Sequence, residues 1–390
     1  MPRCQSSPEM DPGIWSKLPE ELLYCILSFL SPKTIFNLRS TCKRFKSLLL
    51  DPCFIATYSF SSSNFSSFLL LSHPHFNRHF PLYDTLSCSW RQPTSSRSLL
   101  NPCTSSSSLL SSSSGVLCFY LPASSSFLVA NPLSRASTTV KFPKLPFSFE
   151  IITLVSFSSG FKIFVSSSSS VFLYDSRSKS WGRFGGFDSV LNDSFHQGGV
   201  HRDVQLYFTT CDPFSVVCFD LETGKWRTWF DELELPTNEL AFVRLAGADN
   251  AEGEGGGIGI GKLYMVGGVG RNGISRCLKL WALSEKEGEK WIEVETLPEL
   301  MYKKFVSVCY HNYEHIYCFW HQGLICICCY TWPEILYYRI ARRTWHWLPM
   351  CPFFPEKWSC GFRWFSFVPT LYAPGICCDN IYCTFKNIPS

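Results

Sequence analysis

Charge is scarce in this chain. Lys, Arg, Asp and Glu make up only 17% of its 390 residues and the net charge is +4. A dedicated nucleic-acid binder concentrates far more Lys and Arg, so no nucleic-acid partner is expected. Long apolar runs are missing as well. The longest, GLICICCYTWP at 323–333, is flanked by His321, Gln322 and Glu334. It is about half the roughly 20 residues that a membrane helix needs, so no membrane span is expected. The opening MPRCQSSPEMDPGIW holds no apolar centre of the kind a signal peptide requires. No Ser-His-Asp set or converging carboxylate pair can be assembled, because the acidic residues fall mainly in polar turns. The expectation is a non-catalytic chain without a cofactor.

What is abundant is apolar and aromatic. Hydrophobic residues reach 46%, and 34 Phe, 16 Tyr and 13 Trp bring aromatics to 16%. That is ample for a core, and planar side chains favour the pleated faces of β-structure. The 20 cysteines sit mostly inside strand-like runs such as SVVCF, HIYCF and LICICCY, where a thiol behaves as a small hydrophobe. Reduced thiols predict an intracellular protein of the nucleus or cytoplasm.

The first sixty residues read differently from the rest. Leu18, Leu22, Leu23, Ile26, Leu27 and Leu30 follow the spacing of an amphipathic helix. Pro19, Glu20 and Glu21 suit its start, where a missing N–H costs nothing and carboxylates meet the positive dipole end. Ser31-Pro32 breaks it. A second stripe runs through Ile35, Leu38, Thr41, Cys42, Phe45, Leu48 and Leu49 to Asp51-Pro52, and CFIATY predicts a short third helix. These are more apolar residues than so small a unit can hide, which points to an exposed patch for a partner.

After Tyr58, short apolar runs alternate with Ser, Gly, Asn and Pro turns, an all-β pattern. The serine clusters, Ser111–Ser114 among them, read as loop filler. A repeat is visible beneath this. Tyr83-Asp84 leads to Trp90, Tyr174-Asp175 to Trp181 and Phe219-Asp220 to Trp226, with Asn131-Pro132-Leu133 filling the gap. The period of about 45 residues is that of a four-stranded propeller blade. Later copies are looser, pairing Trp281 with Trp291 and Tyr338 with Trp345. About six blades fit, at 66–98, 113–146, 150–187, 197–235, 240–298 and 303–349. The run at 361–373 supplies a strand to complete the first blade and remove two exposed edges.

The N-terminal unit resembles an F-box. The residues that carry the likeness are Leu18-Pro19, Ile26-Leu27, Leu30-Ser31-Pro32, Leu38-Arg39, Cys42-Lys43 and Phe45. Ser31 stands between Leu30 and Pro32, and Phe45 replaces the usual Trp. The repeat is similar to that of plant-type F-box/kelch-repeat proteins. Leu263–Gly268 ends in the kelch Gly-Gly pair, followed by Trp281 and Trp291, while the other blades lack the pair. The fold implied is a small all-α F-box at 14–60, an all-β kelch-type propeller at 61–373, and a tail at 374–390. The resemblance implies a substrate receptor of an SCF ubiquitin ligase. A Skp1-like adaptor, and through it a cullin complex, would dock on Leu18, Pro19, Leu22, Ile26, Leu27, Leu30, Pro32, Leu38, Arg39, Cys42, Lys43 and Phe45. The propeller would hold a target protein. A kelch-type scaffold without a ubiquitin role is the competing reading.

Three further motifs are weighed and set aside. Gly268–Gly273 matches G-x-G-x-x-G after a strand, but Ile274–Leu283 is too short for the helix that should follow. Gly259–Lys262 is like a P-loop with Leu263 where Ser or Thr must meet magnesium. Cys309, His311, His315, Cys318 and His321 form a dense group near Cys326, Cys328 and Cys329, but strand alternation sends Cys326 and Cys328 to one face and Cys329 to the other, so no metal site is expected.

Overall fold

The structure is a computed structural model. It describes residues 13, 17–30, 32–38, 41–48, 51–61, 67–76, 79–91, 107–133, 136–143, 149–157, 159–167, 169–187, 191, 194, 196–211, 213–230, 239–247, 261–284, 290–355 and 357–370. The proposed tail at 374–390 lies outside them, as do the P-loop-like Gly259 and Ile260. The chain separates into two compact units, residues 1–65 with 369–372, and residues 66–368 with 373–390.

The first unit has four helices among its described residues, α1 (Glu20–Ser28), α2 (Pro32–Leu38), α3 (Lys43–Leu48) and α4 (Pro52–Ser61). The second apolar stripe is therefore two helices rather than one. Leu38 accepts both the N–H and the hydroxyl of Thr41, which ends α2, and Cys42 opens α3 by accepting the Phe45 N–H on its Sγ. Asp51 caps α4, with Oδ1 accepting the N–H groups of Cys53 and Phe54 at 2.8 and 3.1 Å, while Tyr24 of α1 donates to its Oδ2 at 3.0 Å. One carboxylate thus fixes a helix start and its packing partner together. Leu23, Leu27, Ile35, Leu48, Phe54 and Tyr58 form the core.

The second unit is a six-bladed β-propeller of four-stranded antiparallel sheets. The first blade is β24-β1-β2-β3, built from β1 (Phe68–Ser72), β2 (Leu82–Asp84), β3 (Ser89–Arg91) and the last strand β24 (Arg363–Phe367). The pairing of Phe68 with Phe367 closes the ring with the C-terminal strand, as the run at 361–373 predicts. The other blades take consecutive strands. They are β4 (Ser108–Ser113) to β7 (Ala136–Lys141), β8 (Ile151–Phe157) to β11 (Ser180–Gly185), β12 (Val200–Arg202) to β15 (Trp226–Phe230), β16 (Leu240–Gly247) to β19 (Lys290–Thr296), and β20 (Ile316–His321) to β23 (Thr344–Trp347). Six apolar clusters fill the six junctions between neighbours. Because each sheet is buried on both faces, its inner strands read as unbroken apolar runs, such as β9 (Gly160–Ser167), whose Phe161, Ile163 and Val165 face one neighbour and Phe164 the other.

The repeat has a physical cause. Asp84, Asn131, Asp175 and Asp220 each end the third strand of a blade and turn the chain into the fourth. Their Oδ1 atoms accept the backbone N–H of Leu86, Leu133, Arg177 and Glu222 at 3.0, 2.9, 2.8 and 2.9 Å. The Trp that follows reaches the preceding blade. Trp90, Trp181 and Trp226 donate their Nε1 protons to the carbonyls of Pro349, Lys141 and Gly185 at 3.0, 2.9 and 3.0 Å.

Two features depart from expectation. Residues 299–309, where the last blade was expected to begin, form helix α5 (Glu299–Cys309). It buries Tyr302, Phe305, Val308 and Cys309 between the fifth and sixth blades, and the sixth blade begins at Ile316. The serines at 111–113 are not loop filler. They lie in β4, the innermost strand of its blade, where Ser111 and Ser113 accept the N–H groups of Leu154 and Ser156 of β8 and Ser112 donates to the Ser366 carbonyl of β24. Hydroxyls there satisfy the edges of adjacent blades, which an apolar residue could not do.

Arg244 of β16 is fully buried and donates to three carbonyls, those of Ile316, Val243 and Tyr313, at 2.6, 2.7 and 2.6 Å. It fastens the fifth blade to the sixth.

Candidate functional site

Helix α1 carries apolar residues on two faces. Leu23 and Leu27 point inward and are 3% and 5% exposed, whereas Leu22, Ile26 and Phe29 are 56%, 42% and 67% exposed. Spacings of four and three residues place those three on one stripe. The core on the other side explains why the stripe is left over. Phe54 meets Tyr24 edge-on at 5.6 Å and Tyr58 at 5.7 Å, and Tyr58 donates to the Leu30 carbonyl. With the inward positions occupied, the outward stripe has no place inside the unit.

Around it, Pro19, Cys42 and Lys43 are exposed, and Leu18, Leu30, Leu38 and Phe45 are partly buried. Leu27, expected among the docking residues, belongs to the core and presents no surface. Pro32 opens α2, but its side chain, like the whole of Arg39, lies outside the described residues. Phe29 is absent from the sequence-based set, although its offsets from Leu22 and Ile26 are those of one helical face. The rim is polar. Arg44 lies 3.7 Å from Glu20, and burial together with the Asp51 hydrogen bond raises the Tyr24 phenol to about 12.

The competing motifs resolve into structure. Gly268–Gly273 belongs to a hairpin between β17 (Leu263–Arg271) and β18 (Ile274–Ser284), and no helix follows. Asn272 and Gly273 both have positive φ, 55° and 72°, the signature of a two-residue type I′ turn. A Cβ at Gly270 would stand 1.9 Å from the Ile274 carbonyl oxygen, so close strand approach accounts for that glycine. Cys326 and Cys328 pack toward the first blade, and Cys309, Cys318 and Cys329 toward the fifth. Among the described residues no three His, Cys, Asp or Glu side chains converge to hold a metal, and no disulfide joins the described cysteines. Of the residues at or near turns, Arg271 and Asn272 are exposed and Trp332 is partly buried. His321 is fully buried, with Nδ1 2.8 Å from the Ser366 hydroxyl, and cannot reach a surface. No helix of the described residues is long and apolar enough to cross a membrane.

Comparison with known proteins agrees with this architecture. The F-box domain model matches residues 15–57. An F-box/kelch-repeat protein of Arabidopsis thaliana is 50% identical over 383 residues, covering 95% of this chain and 91% of that protein. F-box only protein 6 and Protein UNUSUAL FLORAL ORGANS, both of Arabidopsis thaliana, are 25% and 24% identical over 88% of this chain and 72% and 80% of their own lengths. A helical F-box followed by a six-bladed propeller defines a class of proteins that are generally non-catalytic adaptors. The chain belongs to the F-box/kelch-repeat family. In that family the F-box generally implies docking on Skp1.

Proposed function

We propose that this chain is the substrate-recognition subunit of an SCF-type E3 ubiquitin ligase. Its F-box, residues 14–60, docks on a Skp1-like adaptor and through it a cullin complex. Its propeller, residues 61–373, binds the protein to be ubiquitinated. The chemistry of transfer belongs to other subunits. This chain acts by position, raising the effective concentration of target lysines at the charged ubiquitin carrier. Described cysteines not joined by disulfides fit an intracellular setting, nucleus or cytoplasm.

The observation that carries the adaptor reading is the exposed stripe of Leu22 and Ile26 on α1 with Phe29 at its C-cap. Apolar side chains exposed together on one helix face lose contact with water only when a partner covers them. Leu18, Pro19, Leu30, Leu38, Cys42, Lys43 and Phe45 complete the docking surface, with Pro32 and Arg39 assigned by resemblance. Leu27 supports the surface from beneath.

The test is capture of a purified Skp1-like adaptor by the full chain, wild type against a Leu22→Ala/Ile26→Ala/Phe29→Ala variant. Binding by the wild type and its loss in a variant of unchanged circular dichroism is the expected result. Failure of the wild-type chain to bind would remove the ligase role and leave a kelch-type scaffold.

A further inference from the structure

The innermost strands β24, β4, β8, β12, β16 and β20 surround an axial cavity of about 710 Å³, a size suited to a small molecule. Its wall carries charges of both signs, Glu150 and Asp203 being its carboxylates. Two guanidiniums line it. Arg202 lies 3.9 Å from the Asp203 carboxylate. Arg363 has no carboxylate within ion-pair distance among the described residues; Glu150 also lines the cavity but is exposed and not so placed. The two terminal nitrogens of Arg363 donate to the carbonyls of Leu109 and Leu110 at 2.9 and 3.1 Å. These partners supply dipoles but no countercharge, and a guanidinium has five N–H donors.

A second donor is held beside it. Gln197, in the connector before β12, accepts the Cys318 N–H at 2.8 Å and donates to the Leu245 carbonyl at 3.1 Å. The connector is thereby fixed against β20 and β16. That fixes His196, whose ring lies flat on Tyr330 with centroids 4.1 Å apart. Burial, then the neighbouring Arg363 and His315, pull the His196 imidazole down to about 4, so it is neutral at pH 7 and keeps one N–H to donate. Farther along the wall, the Nε2 of His201 is buried without a hydrogen-bond partner among the described residues, its ring edge-on to Phe157 at 5.3 Å. Leu110, Phe149 and Ile152 line the same cavity and supply apolar wall.

We propose that the axial channel binds a small organic anion, a carboxylate or phosphate monoester, whose charged group is held by Arg363 and His196 and whose apolar body rests on Leu110, Phe149 and Ile152. An anion there supplies Arg363 with the ionic partner that it lacks among the described residues, and charge-assisted hydrogen bonds to a guanidinium are the strong kind. This inference does not depend on the helical unit or on the ligase role.

The test uses the full chain with phenylacetate, phenyl phosphate and inorganic phosphate, and with benzyl alcohol and benzylamine as neutral and cationic counterparts. Calorimetry and thermal shift are expected to show saturable binding by at least one organic anion and none by the two counterparts. A response to phenylacetate alone assigns a carboxylate, and a response to phenyl phosphate alone assigns a phosphate ester. Inorganic phosphate acting as well as phenyl phosphate would overturn the organic ligand. Arg363→Gln should weaken binding by about tenfold or more. Because Arg363 also ties β24 to β4, the wild-type His196 ring provides an independent reading by NMR, its pKa rising when the anion is bound. An unchanged His196 titration at saturating anion, equal binding of benzyl alcohol, or no binding at all would overturn the proposal.

Discussion

The helical unit and the propeller treat their apolar residues in opposite ways. In the helical unit, a helix of nine residues points Leu23 and Leu27 inward while Leu22 and Ile26, and Phe29 just beyond its end, stand in water. In the propeller, both faces of every sheet are covered by neighbouring blades, and the charged Arg244 that enters the core is held by three carbonyls. One unit spends its core on a few residues and leaves a surface; the other closes a ring so that few apolar strands are left to cover. The difference lies in grouping: Leu86, Ile274 and Leu300 of the propeller unit are exposed too, but at separate places along the chain, whereas Leu22, Ile26 and Phe29 share one helical stripe.

The sharpest test sets the two faces of the helical unit against each other. Phe54→Ala removes a fully buried ring and should cost about 3–5 kcal/mol, enough to unfold so small a unit and abolish adaptor binding. Ile26→Ala should change stability by no more than about 0.5 kcal/mol while weakening adaptor capture. Circular dichroism melts beside calorimetry with the adaptor separate the two. Equal stability losses would mean that the outward face is structural. In the propeller the comparable change is Arg244→Met, which leaves three carbonyls without their donor. About 2–4 kcal/mol of stability should be lost in urea unfolding, and a loss below about 0.5 kcal/mol would show that water replaces the guanidinium.

How much of this was legible before the structure follows from the same contrast. The Asp and Trp repeat stood out because the first, third and fourth blades each use a side-chain oxygen at the last turn and an indole donor against the preceding blade. The second blade kept the turn, with Asn131, but β7 reads ASTTVK and has no Trp, which is why its copy looked degenerate. Helix α5 was missed because Tyr302, Phe305 and Val308 are residues that favour strands. Pro298 and Glu299 ahead of that spacing were the available signal. Ser111–Ser113 were misread because serine usually marks turns, and only an inner strand flanked by two other blades gives three hydroxyls in a row their partners. In α1 the sequence pattern merged Leu22 with Leu23 and Ile26 with Leu27 into one stripe. Only the packing of Phe54 and Tyr58 decides which member of each pair is inside.

Within the propeller, the junction Trp tests a smaller term. Trp226→Phe keeps most of the ring but deletes the Nε1 donor to the Gly185 carbonyl, and should cost about 1 kcal/mol. The same change at Trp345, whose Nε1 has no partner among the described residues, should cost less. Urea midpoints of the two variants decide it, and a larger loss at Trp345 would mean that ring packing, not the hydrogen bond, holds the blades.

The turn carboxylates give the smallest effect and the one with a defined pH signature. For Asp220, burial opposes ionisation, but the N–H groups of Thr223 and Glu222 outweigh it and hold its pKa below the ordinary 3.8. Asp84 follows the same pattern, burial opposed by the N–H groups of Ser87 and Leu86 and by Arg91. A carboxylate whose folded pKa is depressed contributes stability that is present above its unfolded value and lost as pH falls through the folded one. The propeller should therefore weaken below about pH 4. Asn131 performs the same turn with an uncharged amide, so Asp220→Asn should cost less than about 1 kcal/mol at pH 7 and should flatten the acid-side loss. Urea midpoints at pH 7 and pH 3 for wild type and variant measure the difference. Identical acid slopes would show that the Asp220 charge contributes nothing beyond the acceptor that asparagine already supplies.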